Sequence, residues 1–208
     1  RFNRVALFVN DTWKVSRRLT LTLGTRWEPF LPYTDLNGNV AVWEPGQQST
    51  RFPNAPLGVL FAGDEGVPAG GSSTVYTRFA PRVGFAYDLF GDGKTSIRGG
   101  YGIFYDSPDT LAMNNQADQA PYGTVVTING TASNNIVDPY AGTVNPFPID
   151  ISNLSKTAIF PPYSSQWLYT TDYRSAYVSS WNFSVERELF RNLVTRISYA
   201  GSKGTRLT

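Results

Sequence analysis

Residues 80–105 (APRVGFAYDLFGDGKTSIRGGYGIFY) alternate between large apolar and small or polar side chains. Val83, Phe85, Tyr87 and Leu89 take every second place, with Arg82, Gly84, Ala86 and Asp88 between them. Past Gly91-Asp92-Gly93 the rhythm resumes, with Ile97, Tyr101 and Ile103 set against Ser96, Arg98, Gly100 and Gly102. A period of two sends the two sets to opposite faces of a strand. The intervening glycines supply the positive φ that a tight reversal needs. A two-stranded hairpin is predicted, and its strands are long. About eleven residues at about 3.3 Å each reach about 36 Å, whereas ordinary strands run to about five or six residues. Tilted by about 40°, such a strand rises about 28 Å, close to the apolar band of about 25 Å on a membrane barrel. Length therefore favours a membrane-crossing sheet over a soluble sandwich, which would shut the apolar faces between two layers.

The same rhythm recurs along the chain. Residues 4–15 place Val5, Leu7, Val9, Trp13 and Val15 on one side, where Asp11 breaks the pattern. An acidic group on a lipid face costs up to a few kcal/mol at the bilayer centre and less near its edge. After a polar turn at 16–18, residues 19–28 set Leu19, Leu21, Leu23 and Trp27 against Thr20, Thr22, Gly24, Arg26 and Glu28. The central hairpin occupies 79–89 and 94–105. A last pair spans 177–188 (Trp181, Phe183, Val185) and 193–200 (Leu193, Thr195, Ile197, Tyr199), and the closing GSKGTRLT reads as the start of a loop. Between these lie the stretches 29–78 and 106–176, studded with proline, which has no place in a central ladder. They are predicted to be long loops, with TVVTI at 124–128 as one local strand. The predicted fold is all-β, an antiparallel transmembrane β-barrel segment of about six long strands. Short turns lie at one end and long loops at the other, as periplasmic turns and extracellular loops do. Trp27, Phe79, Tyr105 and Tyr177 fall at the loop ends, and Trp13, Phe90 and Phe190 at the turn ends, which suits two interfacial girdles.

Composition narrows the classes further. Apolar residues at 41% and charged ones at 16% of 208 residues exclude a disordered chain. No apolar run is long enough for a transmembrane helix. A mean hydropathy of −0.26 fits a barrel, because only alternate residues meet lipid. A net charge of +2 with no basic stripe argues against nucleic acid. The absence of Cys removes disulfides and thiol chemistry, and the absence of His removes His-based triads, metal sites and proton shuttles. The opening Arg1, with no signal-peptide pattern after it, suggests a processed chain or part of a longer one.

Several short motifs fail on inspection. Gly93-Lys94-Thr95 looks like the end of a phosphate loop, but its first glycine position holds Asp88 and a strand follows where a helix belongs. Asp35, Asn37 and Asn39 resemble a calcium loop with the glycine misplaced at Gly38 and Gly46 at the bidentate glutamate position, so a turn is predicted. Asn129-Gly130-Thr131 and Asn153-Leu154-Ser155 fit a glycosylation pattern that means little in a bacterial barrel. Glu186 and Glu188 share a strand face beside a turn and read as a solvated strand end. No nucleophile meets a base, so no enzyme, cofactor or metal site is expected.

By parity, Arg26, Glu28, Arg82, Asp88, Arg98 and Arg196 face the lumen. They either contact a plug or guide a solute, or supply the polarity that any wet interior requires. Tyr163, Trp167, Tyr169 and Tyr173 enrich the end of the second loop in aromatics. These either stack on a sugar or siderophore or pack a compact loop, and the alternation does not choose between the two.

Five stretches, taken in order, resemble the barrel of TonB-dependent outer-membrane receptors, specifically the Oar-like group. They are ALFVNDTWKVSRRLTLTLGTRWEPF, STRFPNAPLGVLFAGDEGVP, RFAPRVGFAYDLFGDGKTSIRGGYGIFYD, DPYAGTVNPFP and SSWNFSVERELFRNLVTRISYAGSKGTRL, which span nearly the whole chain. The resemblance implies a bacterial outer-membrane location and a barrel of about 22 strands around a plug. It further implies lipid as the surrounding partner, and energised uptake of a large solute driven by the TonB complex. No plug or TonB box is recognisable in these residues, and about six strands are too few to close a barrel, so a portion of a larger barrel is expected. A soluble extracellular β-sandwich that binds carbohydrate is the alternative; it would bury Trp181 and Phe183. A structural adhesive surface protein would need no TonB.

Overall fold

A computed structural model describes residues 3–106, 120–123, 137–142, 145, 147, 148, 154, 158, 160 and 168–207. They fall into two compact units. The first contains six strands: β1 (Leu7–Lys14), β2 (Leu19–Trp27), β5 (Phe79–Asp88), β6 (Thr95–Tyr105), β7 (Tyr177–Phe190) and β8 (Leu193–Thr205). The second contains β3 (Ala41–Trp43) and β4 (Val59–Phe61).

The six long strands form one sheet in the order β1-β2-β5-β6-β7-β8, every pair antiparallel. The sheet is open, with β1 and β8 at its edges. Its register joins odd residues to odd and even to even through most of its length. One row reads Trp13, Leu21, Phe85, Gly99, Phe183, Tyr199, and the next even row reads Thr12, Thr22, Gly84, Gly100, Asn182, Ala200. A slip of one residue at any pairing would have mixed the faces. None occurs until the bulge between Glu188 and Phe190 beside the last turn. Apolar alternation within each strand thus becomes an apolar face across the whole sheet. Asp11 lies on that face opposite Leu23, at an edge strand.

The sandwich alternative fails here. It would enclose Phe183, which is 45% exposed, and Phe85, Leu23 and Tyr101 are exposed with it. Trp181 is half-buried because its ring lies on Gly201 of the neighbouring strand; a Cβ there would stand 2.7 Å from the indole. Phe85 lies on Gly99 in the same way, 2.5 Å from where a Cβ would be. Aromatic rings folded over strand glycines cover backbone that would otherwise be bare.

Strand limits differ from expectation by more than one residue in three places. β1 begins at Leu7, where its partner strand ends at Trp27. β7 runs on to Phe190. Residues 201–205, expected as loop, continue β8, because Gly201 opposite Trp181 and Thr205 opposite Tyr177 keep the ladder intact. In the β5–β6 turn Gly91 and Gly93 have φ of 81° and 73°, and the β7–β8 turn uses Asn192 at 71°. These are left-handed values that glycine, and to a lesser degree asparagine, tolerate.

The loop ends of the strands carry the expected aromatics in register. Trp27 stands opposite Phe79 and Tyr105 opposite Tyr177, with the two tyrosine rings 5.7 Å apart. The Trp27 Nε1 donates to the Tyr76 carbonyl at 2.7 Å, and the Arg78 guanidinium lies 4.8 Å from the Tyr105 ring.

The second unit corrects the expectation of plain loop over 29–78. β3 and β4 pair, and Phe52, Phe61, Ala41, Ala55 and Val59 form a buried core. Phe52 and Phe61 meet edge to face at 4.8 Å, a favoured geometry for aromatic pairs. The expected strand at 124–128 lies outside the described residues.

Candidate functional site

Two surfaces carry the polar chemistry, and each is built within one unit. The first is the even face of the sheet. Arg82 sits between Gly24 and Gly102, and Arg98 between Ala86 and Ser184. Arg196 stands opposite Glu186 and donates to its Oε2 from Nε at 2.9 Å. The Arg26 Nε donates to the Glu28 carboxylate at 2.8 Å. The other two arginines lack a carboxylate partner among the described residues: Arg82 lies 4.9 Å from the Phe104 ring, and the Arg98 Nε donates to Ser96 Oγ at 3.1 Å. Between the arginines the face is low, with Gly84, Gly100 and Ala200 in one row. The six predicted wall residues divide accordingly, with Asp88 on the even face opposite Ser96. Arg26, Arg82, Arg98 and Arg196 share the even face, and Glu28 follows β2, held by its amide bond to the Arg78 carbonyl at 3.0 Å.

The second surface belongs to the loop unit. Tyr169 and Tyr173 approach edge to face at 4.9 Å, and the Tyr169 carbonyl accepts from the Trp43 amide at 2.8 Å, so these two expected ligand aromatics pack together. Tyr163 and Trp167 lie outside the described residues. Glu44 accepts from the Thr171 amide at 2.9 Å and from its hydroxyl, tying the segment near Tyr169 to the β3 strand end.

A group the sequence did not mark lies at the centre of this unit. Asp64 is buried and accepts five hydrogen bonds, from Ser49 Oγ, Thr50 N, Thr50 Oγ1, Arg51 N and Phe61 N, at 2.7–2.9 Å. Burial pushes its carboxyl upward, but the bonds from Ser49, the Arg51 and Phe61 amides and Thr50 outweigh it and lower the pKa from 3.8 to about 2. Burial raises the Tyr122 hydroxyl to about 12, with nearby Arg51 opposing and Asp64 and Asp35 adding. Its hydroxyl donates to the Gly38 carbonyl at 3.4 Å. Both groups hold the loop fold together and keep fixed charge states near neutrality. In the sequence, Asp64-Glu65-Gly66 looks like any other turn.

The phosphate-loop and calcium-loop motifs resolve as turns, and Asn129 and Asn153 of the two glycosylation patterns lie outside the described residues. Asp88 accepts from the Gly91 and Gly93 amides at 2.9 and 3.0 Å, filling the donors a phosphate loop would offer its ligand. Asp35 Oδ1 accepts from the Asn37 and Asn39 amides. Among the described residues no cluster of acidic side chains is arranged to hold a metal.

A long-stranded antiparallel sheet, apolar on one side, polar on the other and ringed by aromatics, defines a transmembrane β-barrel wall. Over residues 1–208 the chain matches the model of the outer membrane beta barrel domain family, and it belongs to that family. Its place is the bacterial outer membrane. No curated protein and no solved structure matches it.

Proposed function

We propose that the chain forms the early-to-middle wall of a TonB-dependent receptor barrel of the Oar-like kind and takes part in energised uptake of a large solute. The low even face supports this reading most. Small barrels fill their interior with their own side chains. A face of Gly84, Gly100, Gly102, Ala200 and Ser198 cannot do so, and suits a wide barrel whose interior is occupied by water or a plug. Arg82 and Arg98, lacking carboxylate partners on the wall, are positioned to meet acidic groups of such a plug or of a solute. The ordered stretches shared with the Oar-like receptors supply the finer assignment, and TonB acts on the barrel through the plug. The loop unit, with Tyr169 and Tyr173 at its margin, serves as the capture surface.

The test is solute uptake by cells carrying the full gene, with and without TonB. Uptake lost without TonB supports the proposal. Uptake that continues undiminished would make the barrel a passive pore, and surface adhesion in place of uptake would make it a structural protein.

A further inference from the structure

The two units differ in the sign of their charge. Residues 32–73 and 109–173, all of the loop unit but one residue, hold nine acidic and two basic residues. The rest of the chain holds sixteen basic and seven acidic. Of the two loop cations, Arg51 is turned inward: its guanidinium lies 5.2 Å from the Phe52 ring centre and donates to the Ala62 carbonyl. A surface with that surplus of carboxylates repels anions and slows their encounter. The sheet has the opposite sign, and on its even face Arg82 and Arg98 lack carboxylate partners among the described residues. The step from here to a solute rests on the loop unit being the capture surface and the sheet a barrel wall. A strongly charged solute then meets its own sign at one stage, anions at the loops and cations at the wall. An uncharged solute is opposed at neither.

The loop unit also holds an aromatic platform that the sequence did not mark. Trp43, the last residue of β3, is 40% exposed. Its six-membered ring lies against Gly58, where φ is 94° and a Cβ would stand 2.6 Å from the ring. Only glycine suits that backbone and that contact. Backbone thus covers one side of the indole. Among the described residues no other ring and no guanidinium stacks on it, and its Nε1–H has no acceptor. The next residue, Glu44, accepts from the Thr171 amide and hydroxyl through Oε1, while its Oε2 has no donor among the described residues.

We infer that Trp43 is the stacking platform for an uncharged oligosaccharide, with Glu44 accepting from the hydroxyls at its rim. The C–H face of a pyranose packs on an exposed indole, whose N–H donates to a sugar oxygen. Hydroxyl donors to Glu44 Oε2 form charge-assisted bonds, which are stronger than neutral ones. A purely apolar solute would cover this carboxylate oxygen and leave it unsatisfied, at a cost in affinity.

The full-length protein in detergent, fluorescently labelled and applied to an array of neutral, sialylated and sulfated oligosaccharides with hexalysine and hexaglutamate beside them, tests the site. Half-saturation is expected at the lowest protein concentration on neutral glycans. W43A should raise that concentration about tenfold, the scale on which loss of a tryptophan anchor is felt. W43F, which keeps a smaller ring, should raise it less. E65Q, removing an exposed acid of the same unit, should leave it unchanged. Heat-modifiable migration on gels verifies the barrel, and near-ultraviolet dichroism the loop aromatics; if W43A fails either check, the loss in W43F carries the test. Neutral-glycan binding weakened by these variants supports the site whether or not uptake in cells requires TonB, so the two readings fail separately. Three results would overturn it: no signal on any neutral glycan, equal binding by wild type and the folded Trp43 variants, or preference for hexalysine, hexaglutamate or the acidic glycans.

Discussion

The two units bury their hydrophobic residues in opposite ways. In the loop unit Phe61 and Val42 have no exposed surface and Phe52 is nearly as enclosed, so this unit is built as a water-soluble domain is. In the sheet Ile197 is 74% exposed and Leu7 61%, and in β8 the residues on either side of Ile197 and Tyr199 are arginine, serine and alanine. Each unit is suited to its own solvent, water for the loops and hydrocarbon for the sheet. An apolar patch of that extent would be a liability on a soluble protein. On the outer wall of a barrel it is the means of insertion.

The largest effect expected to sharpen this contrast lies in the loop core. Phe61→Ala should cost about 3–5 kcal/mol, as deletion of a buried aromatic does, and should open the loop unit while the sheet stays folded. Hydrogen exchange resolved by segment would show faster exchange over β3 and β4 and unchanged protection in β6. Next, Leu23→Arg, midway along β2 on the apolar face, should cost about 2–4 kcal/mol in reversible unfolding from vesicles, whereas Thr22→Arg, one residue back and facing the other way, should cost far less. Equal penalties would break the assignment of faces.

A smaller effect is set by Asp64. Its folded pKa of about 2 lies below its ordinary 3.8. The resulting stabilisation of the loop unit, about 2 kcal/mol, is complete above the unfolded value and is lost as pH falls from about 4 toward about 2. Near-ultraviolet dichroism of the loop aromatics against pH would follow it, and Asp64→Asn should remove that dependence. Smallest of all, Arg196→Gln removes an exposed pair with Glu186 and should change barrel stability by less than about 1 kcal/mol.

The sheet was legible in the sequence because a strand's period of two survives in every long run, from Leu19-Thr20-Leu21 to Trp181-Asn182-Phe183, and a consistent register carries it across all six strands. The loop unit was not. Its core residues Val42, Phe52 and Phe61 are separated by prolines and positive-φ glycines at irregular intervals, so they converge in space without any period along the chain. Asp64 acts through backbone amides, which no residue pattern records. Residues 201–205 resembled loop because Gly201 has no side chain to show the alternation, and only Trp181 lying over it reveals the strand.

The lipid-facing parity of the sheet has a direct measurement, eased by the absence of cysteine from residues 1–208. Single cysteines placed at residues 21 to 23, 83 to 86 and 183 to 186 would carry spin labels in the full-length protein, reconstituted in vesicles. Oxygen, which concentrates in hydrocarbon, should reach labels at Leu21, Leu23, Val83, Phe85, Phe183 and Val185 and fall at every even position between them. A flat profile, or maxima at Thr22, Gly84 and Ser184, would contradict the account.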